Sequence, residues 1–498
     1  MKNIIKNYYP PIIGIGIYFI LLLISLDFVY FWDNIQYISK EGYWFYKTNF
    51  LSLLIPAHNE FGIFGVNTPA MGIMTAFLWK IFGYHLWVSH VFAFFWAVLF
   101  VYYSWKIVVF LFPEKWRSWV FFLVIIESTI LTQFVTATPD IILLTAFVMA
   151  VRAILERKPV LLSIALVFLC TIHMRGALTG FLLFFANLYI DYQRNKNDKY
   201  TFRSFFRLLL PYLPVAGLLL SYYAYFFLNE NSILEDSPWK EHYILPKSVN
   251  FLIYHMITFG MRLLENGRFI VYLLAIYLVF TTVKKQLKWS IEERFLAVCF
   301  VLIFGLYFLF VFVTQVPFNA RHFMPMYFVL TLFVLHLLVK NWHTKSLKIT
   351  FLVLYFFALT GHFWVYPEKI TTQWESTLMH IPYYELREEV FDYIDKNEIN
   401  YDEIMAWWNI AGDRGFVELK NKGKIIGGTE TFNTRYFIYT NVSTMPDEII
   451  NNLKNKELWN KIRHFEKFPV VFTIYKKRDE TKLYFQEGIG THRPIFEK

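Results

Sequence analysis

Cysteine is almost missing from this 498-residue chain: there are two, Cys170 and Cys299, both inside apolar segments. That excludes a disulfide framework and a cysteine metal cluster. Charge is scarce too, at 17% Asp, Glu, Lys and Arg against 56% hydrophobic residues. A soluble chain of this length needs more charge to cover its surface. The net charge of +10 does not come as an Arg-rich arm or a separate basic helix, which leaves no footing for nucleic acid. Internal repeats and low-complexity tracts are also lacking. The N-terminal stretch "MKNIIKNYYPPIIGIGIYFILLLISL" has a basic start and a long apolar core but no small-residue cleavage site. It reads as an uncleaved first helix, not a signal peptide.

What the chain does have is apolar sequence, with a mean hydropathy of +0.39. Runs at 10–30, 85–112, 117–135, 139–156, 159–174, 176–191, 205–228, 267–283, 294–314, 323–340 and 347–366 are read as eleven membrane spans, each near the ~20 residues a bilayer requires. Cationic loops set the orientation. Lys2 and Lys6, then "PEKWRS", "ERKP", "DYQRNKNDKYTFRSFFR", "KKQLK" and "KNWHTKSLK", fall on one side, and the sparsely charged "TQFVTATP", "HMRG" and "TQVPFNARH" on the other. The N-terminus is therefore expected in the cytoplasm of a multi-pass inner-membrane protein. Two more apolar stretches, 68–83 with Lys80 and 248–267 with His255, Arg262 and Glu265, would break that parity as spans. They are expected to lie along the outer interface.

Residues 367–498 change character. "YYELREEVFDYIDKN" and "PDEIINNLKN" are helix-like, and "YDEIMAWW", "RYFIYT" and "VVFTIYK" are strand-like. The expected architecture is an all-α polytopic membrane domain over 1–366, with about eleven spans, followed by a small extracytoplasmic α/β domain over 367–498. Asn441-Val442-Ser443 fits a glycosylation sequon.

The topology gathers Asp33, Glu41, His58, Glu60, Asp140, His173, Arg175, Arg262, Arg268, Arg321 and His322 on the outer side. Ionisable groups near hydrocarbon cost free energy, so several on one side point to a polar cavity. Each also has a plainer reading. Asp33 fits an N-cap with Gln36 at N3. Asp140, after Thr138-Pro139, sits in a first helical turn where the dipole favours an anion. Arg175 and Arg321 at span ends suit snorkelling to head groups as well as a clamp on a phosphate. Arg262 and Arg268 are the cations an interfacial helix carries anyway. His58 and Glu60 resemble a metal-ligand pair without completing a site, and His173 suits an interfacial hydrogen bond. Glu41, beside Gly42, reads as a solvated loop charge.

The order and common sidedness of "WDNIQYISKEGYW" (32–44), "NTPAMGIMTAFLWKIFG" (67–83), "TPDIILLTAF" (138–147), "TIHMRGA" (171–177) and "RHFMPMYF" (321–328) resemble the GT-C class of glycosyltransferases. Within it they resemble bacterial relatives of the protein O-mannosyltransferases and lipid A aminoarabinose transferases. Where that family often has Asp-Glu, this chain has Asp33-Asn34; where it has His-Pro-Pro or Lys-Pro, this chain has Asn67-Thr68-Pro69; and Arg175 stands where Lys is usual. The resemblance implies transfer of a sugar from a polyprenyl-phosphate donor to a lipid, glycan or protein acceptor at the outer face. On that reading Asp33 is the general base and Asp140 a second carboxylate. Arg175 and Arg321 hold the donor phosphate, and His58, Glu60, His173 and Arg262 are auxiliary residues nearer the acceptor. No metal site and no cofactor beyond the lipid-linked sugar is indicated, and aromatics 43–46 are available to a sugar or prenyl chain. The competing readings are a transporter or flippase, disfavoured because the charges sit at one side and not mid-membrane, and a non-catalytic assembly protein working through its α/β domain.

Overall fold

The computed structural model describes residues 2–31, 33–55, 68–195, 202–229, 245, 248–315, 318–364, 374–407, 410–420, 423–428, 434–442 and 445–478. His58 and Glu60 lie outside them. The first part of the chain is helical. α1 (Lys2–Ser25) is followed by a π-helical turn (Ile35–Lys40), then α2 (Glu41–Thr48), α3 (Ala70–Phe82), α4 (Leu86–Leu111), α5 (Glu114–Ile125) and α6 (Ser128–Val135). Next come α7 (Pro139–Leu155), α8 (Pro159–Ile172), α9 (Met174–Arg194), α10 (Phe202–Leu209) and α11 (Leu213–Asn229). The helical part closes with α12 (Val249–Leu264), α13 (Phe269–Lys284), α14 (Ile291–Val313), α15 (Met324–Asn341) and α16 (Thr344–Thr360).

Among the described residues, five helices are long and apolar enough to cross a membrane: Leu86–Leu111, Phe202–Leu228, Ile291–Val313, Ala320–Asn341 and Thr344–Phe363. The pairs α5–α6 and α12–α13, bent by 54° and 87°, bring the number to seven if each is one span. Several of the eleven expected runs form helices below that length: α7 has 17 residues and α8 has 14. A helix at the centre of a bundle need not reach lipid along its whole length, and all 17 residues of α7 are buried. It packs against α4 and α8. The expected span 117–135 is interrupted because Glu127 caps α6, accepting from Ile130 N at 3.0 Å. The chain turns by 87° between α12 and α13. At the other end, α14 opens with a capping box in which Ser290 and Glu293 each accept the other's backbone N–H.

The C-terminal part is a four-stranded sheet, order β1-β4-β6-β5, built from β1 (Ile404–Ala406), β4 (Tyr436–Thr440), β5 (Trp459–Lys467) and β6 (Val470–Lys477). The short β2 (Gly412–Asp413) and β3 (Ile425–Ile426) pair beside it. β1 and β4 are parallel and the other pairs antiparallel. Period-two alternation divides β4 between two layers. Ile438 joins Leu386, Val390 and Ile394 of α17 (Pro382–Lys396). Phe437 and Tyr439 join Ile449, Ile450 and Leu453 of α19 (Asp447–Lys454). The one-turn helix α18 (Arg414–Val417) lies between them in the chain and meets the helical domain, where Tyr30 N donates to Val417 O at 3.0 Å. β5 is missed by the sequence reading because it is an exposed edge strand, "WNKIRHFEK", with no apolar alternation. Asn441 spends both arms of its amide on the backbone, donating to Pro469 O and accepting from Val471 N. Its side chain is a packing element.

Candidate active site

Five charged residues from five distant segments meet at the end of the bundle that faces the α/β domain. Arg321 lies in a short 3-10 turn (Ala320–Phe323) that feeds α15 and is 5% exposed. Its Nη2 donates to Asp33 Oδ2 at 2.6 Å, its Nη1 lies 3.6 Å from Asp140 Oδ2, and its Nε lies 3.3 Å from Glu375 Oε2. The last pair is in ion-pair range but not aligned as a hydrogen bond. The other Asp140 oxygen meets Arg175 Nη1 at 3.0 Å. The result is a chain of charges, Asp33–Arg321–Asp140–Arg175, with Glu375 as a third carboxylate on Arg321.

Each residue is held there by local structure. Behind Asp33, Asn34 is fully buried and its amide donates to Thr136 O. The Asp33 carbonyl accepts from Gln36 N and Tyr37 N, opening the π-helical turn. No side-chain cap forms there, so the Asp33 carboxylate is left to face Arg321. Asp140 follows Pro139 at the start of α7, in a helical turn where an anion is favoured. Arg175 is brought in by the tight α8–α9 corner. A Cβ on Gly176 would stand 1.8 Å from Leu169 O, so only glycine allows that approach. His173 caps α9 by accepting from Arg175 N at 3.1 Å, and its ring meets Tyr37 edge-on. Glu375 sits in a 3-10 turn whose backbone is fastened to the bundle. Gln133 donates to Glu375 O at 2.5 Å and Asn266 to Ser376 O at 3.1 Å.

Exposure separates the carboxylates by role. The Asp33 side chain is 34% exposed, whereas those of Asp140 and Glu375 are 4% and 7%. Burial pushes the Glu375 carboxyl above its ordinary range; Asp33 and Asp140 add to that, and Arg321 and Arg262 oppose it. Three carboxylates against two guanidiniums leave the cluster short of positive charge. Asp33 is the most accessible of the three carboxylates.

The other candidates are placed differently. Arg262 is 2% exposed and engaged elsewhere, donating to Glu265 Oε2 and to Phe318 O, each at 3.0 Å. Arg268 pairs with Glu127 at 2.6 Å and lies over the Tyr327 ring. His322 offers its carbonyl to Tyr307 Oη at 2.8 Å. Glu41 is not the solvated charge its neighbour Gly42 suggests. It is 2% exposed at the start of α2, packed on Gly72 of α3, and burial pushes its carboxyl well up. Tyr43 and Tyr46 pack on Tyr84, and Tyr46 also on Trp79. Among the described residues no group of three or more His, Cys, Asp or Glu is set to hold a metal.

Glu375 and Glu127 went unnoticed in the sequence. Glu375 lies in a polar stretch without periodicity and gives no signal. Glu127 does give one, as the only charged residue between Arg117 and Asp140 in an apolar run.

No protein-family model matches the sequence, and neither does any curated protein sequence. Among solved structures the chain is similar to ArnT from Cupriavidus metallidurans bound to undecaprenyl phosphate, at 10% identity and a TM-score of 0.48, covering 93% of this chain and 97% of that one. It is similar to the apo state of the same protein at 11% identity and a TM-score of 0.47, with the same coverage.

Proposed function

We propose that the protein is an integral-membrane glycosyltransferase that moves a sugar from a polyprenyl-phosphate donor to an acceptor hydroxyl at the extracytoplasmic face. The observation that carries this reading is the contact of Asp33, the accessible carboxylate, with Arg321, a buried guanidinium that also touches Asp140 and Glu375. A transfer of this kind needs a base for the acceptor proton and cations for the leaving phosphate.

The acceptor oxygen forms a bond to the anomeric carbon as the bond from that carbon to the phosphate oxygen breaks. Asp33 takes the acceptor proton, and the electron pair leaves with the phosphate. Attack opposite the leaving group inverts the anomeric centre. Arg321 and Arg175 face the leaving phosphate, since guanidinium matches phosphate in a two-point fork. Asp140 and Glu375 orient the two guanidiniums, Asp140 by giving one oxygen to each and Glu375 from the connector into the α/β domain. On this reading the lipid, glycan or protein nature of the acceptor is set outside the cluster.

Asp33→Asn is the test. The amide keeps the shape and a hydrogen bond to Arg321 through its oxygen but cannot accept the proton. The glycans and glycolipids of cells carrying the gene, lacking it, or carrying the variant are compared by mass spectrometry. The expected result is one sugar lost on deletion, restored by the natural gene and not by the variant, with a fall of ~10²–10⁴-fold in transfer rate. Full restoration by a well-folded Asp33→Asn protein removes Asp33 from the chemistry.

A further inference from the structure

The α/β domain grips the helical domain on both flanks of Asp33. On the N-terminal side, Phe31 is buried in the core of the α/β domain, its ring centre 4.7 Å from that of Tyr383 on α17. Phe28 stacks on Tyr384 of the same helix at 3.8 Å. On the C-terminal side, the π-helical turn Ile35–Lys40 begins on the Asp33 carbonyl, which accepts from Gln36 N at 3.0 Å and Tyr37 N at 2.8 Å. That turn packs against α18. Phe416 of α18 meets the Tyr43 ring edge-on at 5.7 Å, and Lys40 Nζ lies 5.8 Å from the centre of the Phe416 ring. The next residue, Val417, accepts from Tyr30 N at 3.0 Å.

A one-turn helix has little stability of its own, yet α18 is firmly held. Asp413 caps it, accepting from Gly415 N at 2.7 Å and from Gly423 N at 3.3 Å. Glu418, at its other end, is buried and takes Arg414 in a two-point fork, 2.7 Å from Nε and 2.9 Å from Nη2. The same carboxylate accepts from Arg387 Nη1 of α17 at 2.7 Å. The Arg387 and Arg414 guanidiniums lie 4.4 and 3.9 Å from the centre of the Phe391 ring. These contacts fix where α18 stands. The π-helical turn has the opposite character: it has six residues and no side-chain cap. Turns of that kind are rare and occur most often at functional sites.

We propose that α18 is a brace that positions Asp33 against Arg321, with Phe416 passing the hold of the α/β domain to the π-helical turn. The proposal rests on the transferase reading, in which Asp33 is the base. Phe416 acts through the turn and is a positioning residue. The contact of Asp33 with Arg321, at 2.6 Å, leaves little room for displacement, and a misplacement of about 1 Å in a reacting group costs about 10²-fold in rate. Arg321 is presented by the bundle, at the entry to α15. The pair therefore closes between a guanidinium set by one domain and a carboxylate steadied by the other.

The full-length natural protein, Phe416→Ala and Phe416→Tyr are compared in one detergent by backbone hydrogen exchange. In cells lacking the gene, they are compared by the rate at which the lost sugar reappears on induction, at matched protein levels. Phe416→Ala is expected to speed exchange over residues 33–44 by about 2- to 10-fold, the worth of one aromatic pair, while β4 and β6 keep their natural rates. It should slow reappearance of the sugar by about 10-fold or more. Phe416→Tyr, which keeps the ring, should restore both. Tyr43→Leu removes the other ring from the helical side and carries the test if Phe416→Ala does not fold. Unchanged exchange over 33–44, a rise shared equally by β4 and β6, or an undiminished rate of sugar reappearance overturns the proposal. Asp33→Asn, run alongside, judges the transferase reading separately, and the exchange measurement decides the brace whichever way that variant behaves.

Discussion

Arg321 is the keystone of the cluster, and its removal has a consequence that distinguishes a shared guanidinium from an ordinary surface pair. In Arg321→Ala, Asp33, Asp140 and Glu375 lose their common partner, and among the described residues only Asp140 retains another, Arg175. Removing one side of a buried pair costs about 3–5 kcal/mol, because the remaining charge is left out of water. Glu375, buried and already pushed up, takes up a proton rather than stay charged, which holds the loss near the lower end of that range. Glu375→Gln alone leaves Arg321 with two carboxylates and costs about 1 kcal/mol, the worth of one ordinary contact. Combining the two changes should therefore recover stability, by about 1–3 kcal/mol of coupling, since the glutamine is neutral without the proton that Glu375 must take up once Arg321 is gone. Thermal unfolding of the four proteins in one detergent is expected to rank them natural, Glu375→Gln, double variant, Arg321→Ala. A double variant less stable than Arg321→Ala alone refutes the reasoning, because additive losses mean that the two residues do not share a charge balance.

Gly176→Ala forces a Cβ to within 1.8 Å of Leu169 O; the α8–α9 corner must open, and a loss above ~3 kcal/mol is expected in thermal unfolding. Gly217→Ala, with nothing within 4 Å of its Cβ, is the control and should be neutral or slightly stabilising as a helix substitution. Glu265 is pushed up to about 7 by burial, with Arg262 and Arg268 opposing. Between about 4.5 and 7 the folded protein keeps a proton that the unfolded chain has released, so the contribution of Glu265 is fully present below that window and lost as pH rises through it. About 3 kcal/mol is at stake. Thermal midpoints of the natural protein should therefore fall more steeply from pH 5 to 8 than those of Glu265→Gln, and parallel curves would count against it.

How much of this was legible in the sequence depends on what each residue must satisfy. The helices are legible because a continuous apolar run leaves few other structures. Asp33, Asp140, Arg175 and Arg321 are legible as outliers, since each is an ionisable group at the edge of such a run. Their mutual pairing is not. Snorkelling and clamping require the same Arg at the same place, and only the fold shows that the guanidiniums of Arg175 and Arg321 turn to carboxylates. Glu41 misleads because burial is a property of the facing helix, here Gly72 of α3. Glu375 is hidden for the opposite reason. It sits in polar sequence, where a carboxylate is unremarkable, and it is buried by Gln133 and Asn266 holding its turn against the bundle.

The shortage of positive charge in the cluster bears on the proposed chemistry. A phosphate entering beside Asp33, Asp140 and Glu375 meets two guanidiniums whose contacts are already taken by carboxylates. It gains a cation only if one carboxylate lets go, and Asp33 is the one of the three that is not buried. On the proposed reaction the acceptor proton supplies the release. Once Asp33 is protonated, its hold on Arg321 weakens at the moment the phosphate gathers charge, and the guanidinium can turn from base to leaving group. Base and phosphate clamp are then two ends of one guanidinium exchange. Arg321→Lys, which keeps the charge but contacts one partner at a time, should consequently depress turnover far more than it depresses donor binding. Equal effects on both would mean that Arg321 serves binding alone.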